Sequence, residues 1–298
     1  MDHGEALVDD LTGLYGDLLA VLESALGAGH AALPRPMAVG VGIPGLVDRD
    51  GVLRFAPNLL GANGTHVRAE LQARLGDQAH VYVDNDVACA AVGECTYGAG
   101  KGRTDALFVT IGTGIGGSIV SDGQALRGAA NYSGEIGHVV VDPQGPPCGC
   151  GRRGCWERYA SGSGLGRIAR DAALAGQANR VRELAGGDPD EVRGEHVILA
   201  ASEGDEEAEA IVGEFAWWLA LGLANLANIT DPEIVVIGGG LVRAGELLFG
   251  LVRREFALQL EAASLRPEIA ILPAALGEHG GAIGAAVLGR RALSAAEP

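Results

Sequence analysis

The order of apolar segments along the 298 residues predicts an α/β fold of two closely connected lobes. Three observations carry that prediction. Strand-like runs alternate with helical periodicities through short connections, with no low-complexity linker between them. An apolar run closed by a glycine cluster occurs in each half, at Val109-Thr110-Ile111-Gly112-Thr113-Gly114 and at Val235-Val236-Ile237-Gly238-Gly239-Gly240; two such short matches are weak evidence of duplication. Glycine supplies 48 residues, about twice its usual share, without a Gly-X-Y period, while apolar residues reach 48%. That is the composition of a folded, glycine-turned chain, neither fibrous nor disordered.

Residues 6–26 place apolar side chains mostly three and four apart, which predicts an amphipathic helix. Met37–Ile43 reads as a buried strand stopped by Pro44-Gly45, and Val67–Leu75 as a short helix. His80–Asp84 is a second strand running into Asn85-Asp86. The Ala-rich stretch Val87–Tyr97 is helical and ends at Gly98–Gly102. Residues 106–120 alternate on both sides of a glycine cluster, which predicts a hairpin. Glu206–Ile229 is a long helix closed by Asp231-Pro232, and Gly280–Arg291 is a last helix of small residues.

Charge narrows the function classes. Twenty-two Lys and Arg against 38 Asp and Glu leave a net charge of −16, with no basic block at either end, which argues against a nucleic-acid partner. No apolar run approaches the ~18 residues of a membrane helix, and the first residues lack a signal-peptide pattern. No membrane partner and a cytoplasmic address are therefore expected. The five cysteines are odd in number, and three of them, Cys148, Cys150 and Cys155, fall within eight residues. In a reduced compartment that spacing favours metal over disulfide. Cys89 and Cys95 lie apart in an expected helix and read as small buried hydrophobes.

With His138 ten residues upstream, the three thiolates make a four-ligand set for zinc. Four protein ligands leave no open position for a catalytic water, so the zinc would be structural. A flexible redox loop is the other reading of the spacing. Glu135 and Glu157 flank this loop; if zinc fixes His138 through one ring nitrogen, the other is free, and two carboxylates with an imidazole suit the vicinal hydroxyls of a polyol. Solvated surface acids are the alternative there. Asn85-Asp86 joins a strand end to a helix start, where α/β sheets bind ligands. Asp86 can serve as a base toward an attacking alcohol, but the pattern taken alone favours a helix cap. The clusters Gly112-Thr113-Gly114 and Gly238-Gly239-Gly240 can bring backbone N–H groups close to phosphate. Neither is a Walker loop, and tight turns explain them as readily.

Taken in order, Pro44-Gly45, Asn85-Asp86, Gly112-Thr113-Gly114, Glu135-Ile136-Gly137-His138, the run from Cys148 through Cys150 and Cys155 to Glu157, and Gly238-Gly239-Gly240 resemble the ROK family of repressors, open reading frames and kinases. The likeness runs from about residue 37 to the C-terminus. Cys148–Gly162 is most similar to the bacterial glucokinases of that family, especially actinobacterial ones. The resemblance implies an actin-like (ribonuclease H-like) two-lobed sugar kinase fold with a cleft between lobes. The lobes would be 1–105 and 106–298, the second carrying a zinc loop at 138–157. A homodimer or homotetramer is implied as well.

By the same resemblance the reaction is ATP-dependent phosphorylation of the glucose 6-hydroxyl in glycolysis, with Asp86 as base. Gly45, Asn58, Asn85, Asp86, Glu135, His138 and Glu157 would contact the sugar, and Thr113, Gly114, Gly239 and Gly240 the nucleotide. His138, Cys148, Cys150 and Cys155 would bind structural Zn²⁺, and Mg²⁺ would accompany ATP. Mannose or N-acetylglucosamine in place of glucose, and polyphosphate in place of ATP, stay open. One departure stands out. Kinases of the family begin with a hairpin carrying Asp-x-Gly-Gly-Thr, the first phosphate loop, and this sequence has no such motif. The residues before Met37 read as one helix and a connection, so an N-terminal lobe short of its first strands is expected. The strand at Val39–Ile43 would then lack its usual partner. The alternative function is a non-catalytic sugar-binding or regulatory relative; the residues before Met37 do not suffice for a DNA-binding helix-turn-helix.

Overall fold

The computed structural model describes residues 3–26 and 37–296. In chain order it comprises α1 (His3–Leu26), β1 (Met37–Ile43), β2 (Leu46–Val47), β3 (Leu53–Phe55), α2 (Val67–Leu75), β4 (Ala79–Asn85), α3 (Asp86–Tyr97), β5 (Ala106–Ile111), β6 (Ile115–Ser121) and β7 (Gln124–Ala125). There follow α4 (Glu157–Ala160), α5 (Gly162–Leu174), α6 (Asn179–Leu184), α7 (Gly194–Ser202), α8 (Glu206–Thr230), β8 (Ile234–Gly238), α9 (Glu246–Gln259), β9 (Ala270–Pro273) and α10 (Gly280–Ala296). Two compact units result. One gathers Met1–Thr96, Ala125–Ser133 and Glu278–Pro298; the other gathers Tyr97–Gln124 and Gly134–Gly277. The single division at 105/106 drawn from the sequence has no place for 125–133 or α10, which rejoin the first unit late in the chain.

In the first unit β1 and β4 pair in parallel, from Met37 opposite Ala79 to Ile43 opposite Asn85. Among the described residues they form a two-stranded sheet, and β2 and β3 make a small antiparallel ribbon in the crossover between them. The core is Val8, Ile43, Val47, Leu53, Val67, Leu71, Val81 and Val83 with their neighbours. Val8 of α1 is fully buried there, with Leu7, Leu11 and Tyr15 packed alongside, whereas Leu14, Leu18, Val21 and Leu22 stay exposed. The small residues of α10 have a steric cause. A Cβ on Gly40 of β1 would overlap the Ala285 carbonyl, and one on Gly284 would overlap the Cys89 carbonyl of α3. Backbones this close admit no side chain, so α10 reads as nearly featureless while being tightly docked.

The second unit is built on a five-stranded sheet in the order β7-β6-β5-β8-β9. β5 and β6 form the predicted hairpin, Ile111 opposite Ile115, and β5, β8 and β9 run parallel. Its core joins Leu107, Val109 and Ile111 of β5 to Trp156, Phe215, Leu219 and Leu223, among others. The 25-residue α8 is long and apolar enough to cross a membrane by length and composition, with a mean hydropathy of 1.4. The expectation concerned an unbroken apolar run, and α8 is interrupted by Glu206, Glu207, Glu209 and Glu214. Its apolarity has a local cause: it is the central helix of this core, and 61% of its apolar window is buried. Asp205 caps its start through Ala208 N–H, and Asp231 ends it in the left-handed region at φ 44°.

Candidate functional site

The metal loop belongs wholly to the second unit. Gly137 and His138 close a single 3-10 turn, after which Val140 bridges to Cys155 and Pro147 to Arg153, folding 138–157 back on itself. Gly151 and Gly154 hold φ of +86° and +66°, and a Cβ on Gly154 would overlap the Asp142 carbonyl. A side chain at 154 would therefore open the loop. Trp156, buried at the end of the loop, donates from Nε1 to the Trp218 carbonyl at 2.8 Å, and Tyr159 stacks on Trp218 with centroids 4.0 Å apart. The loop is thus anchored on α8.

This folding brings together one ligand atom each of His138, Cys148, Cys150 and Cys155, all within 4.8 Å of one another. Cys150 Sγ lies 3.5 Å from Cys155 Sγ, and Cys148 Sγ lies 3.7 Å from His138 Nδ1. Tetrahedral zinc with Zn–S near 2.3 Å needs sulfur–sulfur separations of about 3.7 Å, so donor set and spacing both fit. The Arg152 backbone N–H and side chain lower the Cys150 thiol to about 6, while burial pushes Cys148 up to about 12. Because Nδ1 faces the sulfurs, Nε2 of His138 is left for another partner. Glu135 Oε2 lies 3.9 Å from that Nε2, and Glu157 Oε1 lies 3.6 Å from Nδ1 and 3.0 Å from Cys148 Sγ. Two carboxylates, exposed Glu135 and part-buried Glu157, thus lie within 4 Å of one imidazole.

Both glycine clusters lie at one end of the same sheet. β5 and β8 are adjacent and parallel, with Thr110 opposite Gly238, so Gly112-Thr113-Gly114 and Gly239-Gly240 leave the sheet side by side. Gly239 has φ +92°, and a Cβ there would overlap the Ile111 carbonyl. The 112–114 turn is held by Gly112 N–H to the Gly114 carbonyl and by Gly162 N–H to the Gly112 carbonyl. Gly114 abuts the metal loop, since a Cβ on it would lie 2.7 Å from Glu157 Oε2. Thr113, Gly239 and Gly240 are exposed.

The first unit holds Gly45, Asn58, Asn85 and Asp86. Asn85 ends β4 and serves α3 as a cap, its Oδ1 accepting from Ala88 N–H at 3.0 Å, while its Nδ2 donates to the Gly45 carbonyl at 3.0 Å. Gly45 has φ +110°, and a Cβ there would overlap the Phe55 carbonyl. Asp86 is half-buried; its Oδ1 accepts from Val87 N–H, yet burial holds its carboxyl above the ordinary carboxylate range. Asn58 sits in an exposed turn after β3. Cys89 is fully buried, as expected, and its thiol is pushed up to about 12; Cys95 is half-buried.

Sequence reasoning overlooked Asp84. The inward-outward alternation of β4 breaks there: Val83 and Asp84 are both buried. The Asp84 carboxylate meets Arg127 Nη2 at 2.7 Å and accepts from Tyr82 Oη at 3.0 Å and Asn85 N–H at 2.8 Å. An acid inside a strand pattern was the available signal, but its cation lies 43 positions away.

The site can also be set against known proteins. The family model of the ROK family matches residues 18–292. A glucokinase of Streptomyces coelicolor is 36% identical over 277 residues, covering 92% of this chain and 85% of that protein. A xylose repressor of Caldicellulosiruptor bescii is 32% identical over 73% of this chain and 53% of its own length. Among solved structures, the ROK family glucokinase of Streptomyces griseus in complex with glucose and AMPPNP superposes with a TM-score of 0.79 at 36% identity, covering 98% of this chain and 89% of that one.

Proposed function

The chain belongs to the ROK family, with its α/β actin-like sugar kinase fold and hexokinase-type phosphotransferase chemistry, and on that premise we propose that it transfers the γ-phosphoryl group of ATP to the 6-hydroxyl of glucose. The observation that carries this reading is the convergence of Glu135 and Glu157 on His138 beside the four-ligand metal cluster. In this reading Glu135, Glu157 and His138 accept from or donate to the sugar hydroxyls. Asn85, fixed by its bonds to Ala88 and Gly45, offers its remaining amide N–H, and Gly45 and Asn58 line the sugar. Asp86 takes the proton from the 6-hydroxyl as it attacks phosphorus.

Backbone N–H groups at Thr113 and Gly114 face the transferring phosphates, and Gly239 and Gly240 face the nucleoside; ATP enters as its Mg²⁺ complex. Phosphoryl transfer asks the protein mainly for positioning and charge neutralisation, which such a set supplies. Zinc on His138, Cys148, Cys150 and Cys155 would supply no chemistry beyond fixing the His138 ring and the Glu157 backbone. A homodimer or homotetramer is the assembly that goes with this reading.

Titration calorimetry and a coupled assay test it. Glucose and ATP both bind and glucose 6-phosphate forms; glucose binding with no ATP binding and no product overturns it. That second outcome is the signature of a sugar-responsive relative without turnover, a reading favoured by the similarity to a xylose repressor. Competition with mannose, N-acetylglucosamine and polyphosphate then fixes acceptor and donor.

A further inference from the structure

We propose that the ion pair between buried Asp84 and part-exposed Arg127, clasped by Asn131, is a positioning device for the sugar site: it sets the strand end that carries Asn85 and Asp86 and the loop that ends two residues before Glu135. The inference rests on the hexose reading above only for the identity of the ligand.

Asp84 is fully buried, where an unpaired carboxylate would be costly, and every donor it meets is accounted for. Oδ2 takes Arg127 Nη2 at 2.7 Å and Tyr82 Oη at 3.0 Å; Oδ1 takes Asn85 N–H at 2.8 Å and lies 3.4 Å from Asn131 Nδ2. A carboxylate bonded through both oxygens to four donors on two segments, β4 and 125–133, has no freedom to turn. Its bond to the Asn85 amide fixes the peptide plane immediately before Asn85, and so the direction in which Asn85 and Asp86 leave the strand.

The donors on the other side come from one short segment. Residues 125–133 belong to the first unit although the chain on both sides of them belongs to the second. Besides Arg127, the segment is held by Asn131 Nδ2 to the Val47 carbonyl at 2.9 Å and by Arg49 Nη2 to the Gly128 carbonyl at 2.6 Å. Ser133 N–H bonds back to the Arg127 carbonyl at 3.3 Å and closes the loop. Asn131 takes φ +72°, an uncommon conformation for a residue with a side chain. Glu135 follows Ser133 by two residues, so the anchored end of this loop is the start of the sugar-binding segment. One ion pair thus ties the strand end before Asn85 and Asp86 to the loop that ends two residues before Glu135. Gly239-Gly240 follows β8, whose side chains belong to the core of the second unit.

The test is a split between two ligands. Arg127→Ala is expected to weaken glucose binding at least tenfold by calorimetry while ADP binding stays within twofold, and Arg127→Lys, which keeps the cation, recovers to within about threefold of wild type. Glucose affinity unchanged within twofold, or parallel loss of both ligands, overturns the proposal, because general destabilisation moves both. If Arg127→Ala does not fold, Asn131→Ala decides: about threefold weaker glucose binding with ADP unmoved supports the clasp, and any other pattern overturns it. Should the wild-type chain bind no glucose, the hexose reading itself fails. Hydrogen exchange then reads the clasp directly: amides 126–133 should exchange at least 100-fold faster in whichever of the two variants folds, and unchanged exchange sinks the proposal.

Discussion

The metal loop and the end of β4 are built in opposite ways. In the loop, four ligands come from 18 consecutive residues, and the bridges that shape it, Val140 to Cys155 and Pro147 to Arg153, are equally local. At the end of β4, Asn85 reaches 40 residues back to Gly45 and Asp84 reaches 43 residues forward to Arg127. The loop therefore declares its chemistry in its spacing. The strand end shows only a pattern shared with any helix cap, and its meaning depends on partners that folding must supply.

The sharpest way to break this contrast is at Asp86. Asp86→Asn should lower phosphorylation by roughly 10²–10⁴-fold, the range for loss of a general base, with glucose affinity within about tenfold; a variant that keeps substantial turnover refutes the assignment. The same residue sets a pH dependence. Burial raises its pKa, and only the deprotonated form accepts a proton, so turnover is lost as pH falls through a value above the ordinary carboxylate range. An acid limb within that ordinary range counts against Asp86.

Next in size is the metal. Elemental analysis should find one zinc per chain in protein prepared without chelator, and a ratio near zero counts against the site. Cys155→Ser should abolish that zinc, expose 138–157 to protease and weaken glucose binding roughly 10–100-fold, as loss of support around a metal-bound histidine does. If the loop is as local as its bridges suggest, 97–124 keeps its protection from hydrogen exchange.

Three smaller substitutions compare the regions directly. Gly154→Ala should cost about 1–3 kcal/mol by chemical denaturation, since it combines positive φ with the Asp142 carbonyl. Gly149→Ala, where a Cβ meets nothing within 4 Å, should stay within about 0.5 kcal/mol. At the end of β4, Asn85→Ser keeps a capping oxygen for Ala88 but loses the bond to Gly45. A cost of about 1 kcal/mol and a tenfold drop in glucose affinity are expected. A stability loss with unchanged affinity would make Asn85 a cap alone.

Legibility followed the same division. Strands β1, β4, β5, β6 and β8 and helices α1, α2, α3, α8 and α10 are readable because period and flanking turns lie within each segment. Residues 162–202 defeated that reading. α5 carries Gly162, Gly164 and Gly166 in its first turns, Gly164 packing on the Tyr159 backbone, and those glycines read as a loop although Leu165, Ile168, Ala169 and Ala173 keep a helical period behind them. β9 is too short, at four residues, to show alternation. Asp84 was hidden for a different reason: a buried acid makes sense only beside its cation.

By itself, then, the sequence determined the alternation of elements, the hairpin at Gly112–Gly114, the cluster of His and Cys residues that could hold a metal, and the family, because each is written in residues close along the chain. Only the tertiary structure decided which segments share a unit, why α10 is made of small residues, that Glu135 and Glu157 meet at one imidazole, and that Arg127 and Asn131 hold the strand end before Asp86. Those facts arise from contacts between residues far apart in sequence, and no local pattern encodes a partner's position until the cores of the two units have formed.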